Sequence, residues 1–176
     1  MQVLWAPWRM SYILSGGAPA DDCVFCSVVA GVAAADASAV AQRRRELLVL
    51  ATTRHAFVIM NRFPYGAGHL MVVPRRHAAD LDSLAADEHH ALAELVRRAA
   101  RVLREVLVPD GLNVGMNLGR AAGAGIVDHC HWHLVPRWQG DTNFMPLLGE
   151  TRVISEHLEA TYDRLFGAFA ALGEPT

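Results

Sequence analysis

The sequence predicts an α+β domain: an antiparallel sheet of about five strands, a long helix packed on it, and a C-terminal helix. Three observations carry this. Short apolar runs alternate with turn-forming residues between positions 47 and 74. Apolar residues then recur at helical spacing over 86–107. Two more strand-length runs, 112–118 and 129–136, follow that helix, and an amphipathic stretch over 154–171 closes the sequence.

At 176 residues the chain is expected to hold one main domain. A hydrophobic content of 52% suits a substantial core. A formal net charge of -2 argues against general electrostatic binding of nucleic acid, so any polyanion site must be local. No apolar run approaches a membrane span. The first residues lack the charged-then-apolar order of a signal peptide, and three cysteines do not suggest a disulfide framework. A cytoplasmic location is the expectation.

Taken in order, residues 1–21 form an aromatic arm (Trp5, Trp8, Tyr12) that ends in a Gly/Ala/Pro linker. Residues 22–145 are expected to be the folded domain, and 146–176 a helical extension. Residues 31–41 are alanine-rich and fit a short helix or a loose connection. The first strand is expected at 47–50 and the second at 55–60. Turn chemistry over 61–68, with Pro64, Gly66 and Gly68, leads to a third at 69–74, stopped by Pro74. Three strands with short links read as an antiparallel meander. The helix over 86–107 keeps Leu92, Leu95, Val96, Ala99, Leu103 and Val106 on one stripe. Arg97, Arg98, Arg101 and Arg104 are expected on its solvated face, and Pro109-Asp110-Gly111 to end it. The C-terminal helix turns Leu158, Tyr162, Leu165, Phe166 and Phe169 inward.

Chemistry concentrates in His129-Cys130-His131-Trp132-His133. In a strand, alternate side chains share a face, so the three imidazoles form one row. A catalytic row, a metal-binding strand and a chance cluster all fit that pattern. In the catalytic reading His131 is the nucleophile, because it has a histidine on each side, and His133 donates to phosphate oxygens. Upstream, Gly123-Ala124-Gly125-Ile126 belongs to a loop of small residues whose backbone N–H groups an anion could approach. A loop carbonyl, such as that of Gly123 or Gly125, is the expected partner to orient the nucleophile's ring. Cys130 is expected to face away from the row as a small core residue.

Cys23-Val24-Phe25-Cys26 is half a zinc site, a redox pair or a coincidence. The redox reading wants a β-α-β context, which the sequence does not supply. His77, after the third strand, and His129 could complete a Cys-Cys-His-His set that ties the N-terminal segment to the sheet.

His129-x-His131-x-His133-Leu134-Val135 resembles the signature of the histidine triad (HIT) superfamily. Asn61-Arg62-x-Pro64, then Gly68-His69-x-Met71-Val72-x-Pro74, Asn117 and the Gly/Ala loop are similar to the rest of that pattern, in the same order. The string Leu4-Trp5-Ala6-Pro7-Trp8 and the stretch Val135–Phe144 are most similar to the bacterial diadenosine tetraphosphate phosphorylase (ATP adenylyltransferase) branch. The resemblance implies a HIT-like sheet and a homodimer whose sheets join. It implies an adenine nucleotide or dinucleoside polyphosphate as substrate, cleaved through an adenylyl-histidine on His131. Phosphate is the favoured acceptor, with water as the other. Asn61 would lie near the ribose, and Asn117 with Gly123, Ala124, Gly125 and Ile126 near the phosphates. His133 would lie near the α-phosphate. Cys23, Cys26, His77 and His129 match the structural zinc ligands of several relatives; no organic cofactor is implied. Many relatives carry Ser or Thr in the loop where this chain has Gly123-Ala124-Gly125, so phosphate contacts here would rest on backbone N–H groups. A phosphoramidase, an asymmetric hydrolase and a catalytically weak nucleotide-binding protein are the alternative readings.

Overall fold

The computed structural model describes residues 23–141 and 157–172. The aromatic arm with Trp5, Trp8 and Tyr12 lies outside the described residues, as does the loop beyond Asp141.

Five strands form one sheet: β1 (Val49–Thr52), β2 (Ala56–Met60), β3 (Leu70–Pro74), β4 (Gly111–Met116) and β5 (Trp132–Arg137). Their order is β1-β2-β3-β5-β4, and every neighbouring pair is antiparallel. The first three are the meander expected from their short links. The last strand in sequence does not join an edge. It inserts between β3 and β4, which brings the histidine segment beside β3, with Met71 opposite His133 and Leu70 opposite Leu134.

The long helix α3 (Ala86–Leu107) has the bounds its apolar stripe predicts. The Glu88 carboxylate accepts the Ala85 N–H at 2.9 Å, which satisfies one of the donors a helix start leaves over. The helix stops where Val108 turns left-handed (φ 48°), ahead of Pro109. Gly111 therefore opens β4 instead of closing the helix. Leu92, Leu95, Ala99 and Leu103 are buried, each leucine contributing roughly 1.5–3 kcal/mol of burial. One expectation fails here. Arg98 is buried, not solvated, and its guanidinium donates to the Leu172 carbonyl at 3.3 Å. It spends its charge on a C-terminal carbonyl of the neighbouring helix, where a cation is favoured.

That neighbour is α4 (Leu158–Ala171), which buries Tyr162, Leu165 and Phe169 as expected. The Tyr162 hydroxyl donates to the Val49 carbonyl at 2.9 Å and so ties the helix to β1. Two helices precede the sheet, α1 (Val24–Ala33) and α2 (Val40–Glu46), and the alanine-rich stretch 31–41 spans the end of the first, the turn between them and the start of the second. Leu48 takes a left-handed conformation (φ 61°) just after α2, so β1 begins at Val49 and not at 47. α1 covers the histidine face of the sheet, with the Phe25 ring against Phe57, His129 and His131. α3 packs across β2, β3 and β5 on the other side, where Leu70, Val72 and Leu134 are fully buried.

Candidate active site and metal cluster

The three histidines form the expected row, although the hydrogen-bonded strand starts only at Trp132 and not at 129. Ahead of it, the Cys130 N–H bonds the Ala78 carbonyl at 2.7 Å, outside the sheet ladder. Cys130 is buried, with its sulfur 3.8 Å from the Asp80 carbonyl and away from the row. The Phe25 ring lies 5.2 Å from His129 and 5.0 Å from His131, and the His131 and His133 rings are 4.7 Å apart.

His131 is 4% exposed. Its Nδ1 lies 2.9 Å from the His129 carbonyl oxygen. A carbonyl can only accept, so Nδ1 carries the proton and Nε2 keeps its lone pair. Burial pushes its pKa down, partly opposed by that hydrogen bond, which favours the neutral ring. The orienting carbonyl is thus that of His129 and not of Gly123 or Gly125. A strand residue can reach the carbonyl two positions back, whereas the loop folds on itself.

The loop explains this. After Asn117 the chain makes a single 3₁₀ turn, Arg120–Ala122, flanked by Gly119 (φ 78°) and Gly123 (φ 87°). The N–H groups of Ala122 and Ala124 bond the Gly119 carbonyl, and that of Gly123 bonds Arg120. Three of the loop's amides therefore serve the loop itself. Ala124 is buried, Ile126 packs against the core, and Gly125 is exposed. Asn117 follows the end of β4, where Met116 pairs with Trp132.

His69 is the residue the sequence reading left without a role. It is 1% exposed. The Tyr65 N–H donates to its Nδ1 at 3.1 Å, and its Nε2 lies 3.0 Å from His133 Nδ1. Because the amide can only donate, the His69 proton sits on Nε2 and is directed at His133. His133 then carries its own proton on Nε2. The Tyr65 ring stacks on His69 at 4.6 Å. Asn61 joins the same cluster: its Oδ1 accepts the Phe63 N–H at 2.9 Å and its Nδ2 lies 3.4 Å from His69 Nδ1. The available signal was parity. His69 lies two positions from Met71, and Met71 faces His133, so the two histidines are diagonal neighbours on one face.

Beside the row, Cys23, Cys26, His77 and His129 bring four ligand atoms within 4.8 Å of one another. Cys23 Sγ is 3.3 Å and Cys26 Sγ 3.8 Å from His129 Nδ1, and Cys26 Sγ is 3.4 Å from His77 Nδ1. A tetrahedral ion with ordinary Zn–S and Zn–N bonds holds its ligand atoms about 3.3–3.8 Å apart. The cluster fits such an ion. His129 Nε2 donates to the Pro74 carbonyl at 2.9 Å, which leaves Nδ1 as the coordinating atom. Burial, foremost, pushes the His129 pKa down to about 4 and the Cys26 thiol up to about 11.

An imidazole row on a five-stranded antiparallel sheet, with a Cys/His group beside it that could hold a metal, is the arrangement of a histidine-triad protein. Residues 42–140 match the HIT domain family. The chain is 37% identical to an AP-4-A phosphorylase of Mycobacterium tuberculosis, over 92% of this chain and 80% of that one. It is 31% identical to an uncharacterized HIT-like protein of Mycoplasma genitalium, over 69% and 77%. A Zn-bound histidine triad family protein from Mycobacterium smegmatis superposes with a TM-score of 0.66 at 30% identity, covering 88% of this chain and 97% of that one. A hypothetical histidine triad nucleotide-binding protein from Sulfolobus tokodaii shares the fold, with a TM-score of 0.61 at 24% identity over 85% and 90%. The chain belongs to the HIT family, and it is an enzyme of that family.

Proposed function

We propose that this protein cleaves dinucleoside polyphosphates, diadenosine tetraphosphate first among them, through an adenylyl-histidine on His131. The observation that carries this is the pairing of tautomers: a His131 whose Nε2 lone pair is available, next to a His133 whose Nε2 bears the proton. In the first step Nε2 of His131 attacks the α-phosphorus, a P–N bond forms, and the bond to the bridging oxygen breaks. ATP leaves, with His133 N–H hydrogen-bonding the charge that develops on its terminal oxygen. The His129 carbonyl steadies the proton on Nδ1 as the ring becomes positive. Inorganic phosphate then attacks the adenylyl phosphorus, releases ADP and returns the neutral imidazole. Water in its place would release AMP.

Anion contacts fall to the amides of Gly125 and Ile126 with the Asn117 side chain, since the amides before them serve the loop. Asn61 supports the ribose. Cys23, Cys26, His77 and His129 would hold zinc, whose contribution is structural: a four-ligand site has no open position for substrate. Phosphate as acceptor is supported by the likeness to a phosphorylase. A homodimer is supported by β4, which among the described strands pairs on one side only and leaves Val114 44% exposed on its edge. Among the described residues no helix is long and apolar enough to cross a membrane, and we read the protein as cytoplasmic.

The test is incubation of purified protein with diadenosine tetraphosphate, with and without phosphate, followed by chromatography. ADP and ATP in equal amounts, formed only with phosphate, are expected. AMP and ATP irrespective of phosphate would make it a hydrolase. No cleavage of any dinucleotide would overturn this substrate reading and favour a phosphoramidase.

A further inference from the structure

His77 differs from the other three ligands of the metal cluster in its support. Cys26 sits in helix α1 and Cys23 caps that helix, while His129 leads into β5. His77 lies beyond the end of β3, in a connection with no regular structure before α3. Yet both residues beside it are fastened. On one side, the Ala78 carbonyl accepts the Cys130 N–H at 2.7 Å, from the residue between two triad histidines. On the other side, Arg76 forms a two-pronged ion pair with Glu88, Nε to Oε1 at 2.9 Å and Nη2 to Oε2 at 2.6 Å. The same Nη2 also donates to the Ser83 carbonyl at 2.6 Å, which folds the connection back on itself. The Glu88 side chain is 11% exposed, although Arg76 is 49% exposed.

Glu88 therefore has two duties. It receives the Ala85 N–H at the start of α3, and it grips the residue before a metal ligand. A planar guanidinium held by both oxygens of one carboxylate fixes direction as well as distance. With Arg76 and Ala78 both held, the backbone of His77 has little room to swing its imidazole away from Cys26.

We propose that Glu88 and Arg76 are positioning residues for the metal ligand His77, so that the first turn of α3 sets how tightly the cluster holds its ion. The inference rests on the zinc reading of the cluster given above. Partners outside the ligand set commonly change metal affinity by about 10- to 100-fold.

The experiment measures zinc affinity of the full chain by competition with a chromophoric chelator, for wild type, Arg76→Met, Glu88→Gln and the double variant. Arg97→Met is the control. It breaks a similar two-pronged pair with Glu94 on the same helix (2.7 and 2.6 Å), remote from any ligand. Wild type is expected to bind one zinc per chain. Arg76→Met and Glu88→Gln should each bind about 10- to 100-fold more weakly, the double variant no more weakly than either, and Arg97→Met as wild type. Cobalt(II) gives a second readout: the visible bands of a four-ligand tetrahedral ion should weaken in the two clamp variants. Arg76→Met leaves the helix-start bond of Glu88 intact, so it decides the matter if Glu88→Gln fails to fold. An Arg76→Met affinity within about twofold of wild type overturns the clamp. Wild type that takes up neither metal overturns the zinc reading itself, and the inference with it.

Discussion

Nε2 of His69 lies 3.0 Å from Nδ1 of His133, and the direction of that hydrogen bond is set from the far side of His69 by the Tyr65 amide. An N–H that can only donate fixes one tautomer, which fixes the next. His69→Phe should release His133 to either tautomer and lower kcat by about 10²-fold, with AMP affinity changed far less. His69→Gln, which can still donate, should recover part of the loss. Steady-state kinetics with calorimetry of AMP binding reads both. A kcat for His69→Phe near that of wild type would show that the relay does not matter to the chemistry.

His131→Ala should abolish turnover, by at least about 10³-fold, because no second group offers a lone pair to the phosphorus at that place. Wild-type protein quenched early in the reaction should gain the mass of one adenylyl group, and the variant none. Removing a buried imidazole leaves a cavity beside Phe25, so a modest fall in Tm is expected alongside. Adenylylation of the variant would place the nucleophile elsewhere.

The residues divide clearly between what a sequence can display and what it cannot. Period carried α3 to its bounds and turned Tyr162, Leu165 and Phe169 inward, because burial of one stripe needs no knowledge of the partner. Alternation carried the histidine row, and the mixed Cys/His donor set brought together residues 23, 26, 77 and 129. What stayed hidden depends on contacts distant in sequence. Arg98 has the spacing of a solvated residue until α4 packs across it. His69 reaches His133 only because β5 inserts beside β3, and that insertion is a fact of topology. The loop looked like a row of donors, yet its glycines, at φ 78° and 87°, serve a turn that consumes three of them.

Gly68 should prove sensitive through geometry alone. It has φ of 72°, and a Cβ there would collide with the Leu107 side chain at the end of α3. Gly68→Ala is expected to cost about 1–3 kcal/mol, from the left-handed backbone and the displaced leucine together. Being next to His69, it should also lower kcat. Denaturant unfolding and kinetics on one preparation test this. A stability within about 0.5 kcal/mol of wild type would mean that the turn relaxes without strain.

Acid should find the Glu88–Arg76 pair. The Arg76 guanidinium foremost, and then the Ala85 amide, hold the Glu88 carboxyl at about 2, whereas an unfolded glutamate titrates near about 4.3. The folded protein thus binds this proton more weakly than the unfolded chain does. The resulting stability is fully present above about pH 4.3 and is lost as the pH falls toward 2. At neutral pH wild type should exceed Glu88→Gln by about 1–2 kcal/mol, a figure reduced for the half-exposed Arg76. Urea unfolding of both proteins across this range should show the gap narrowing with acid, since glutamine has no proton to gain. A gap that stays constant from neutral pH downward would show that the Glu88 charge, and with it the ion pair, is not the source of the difference.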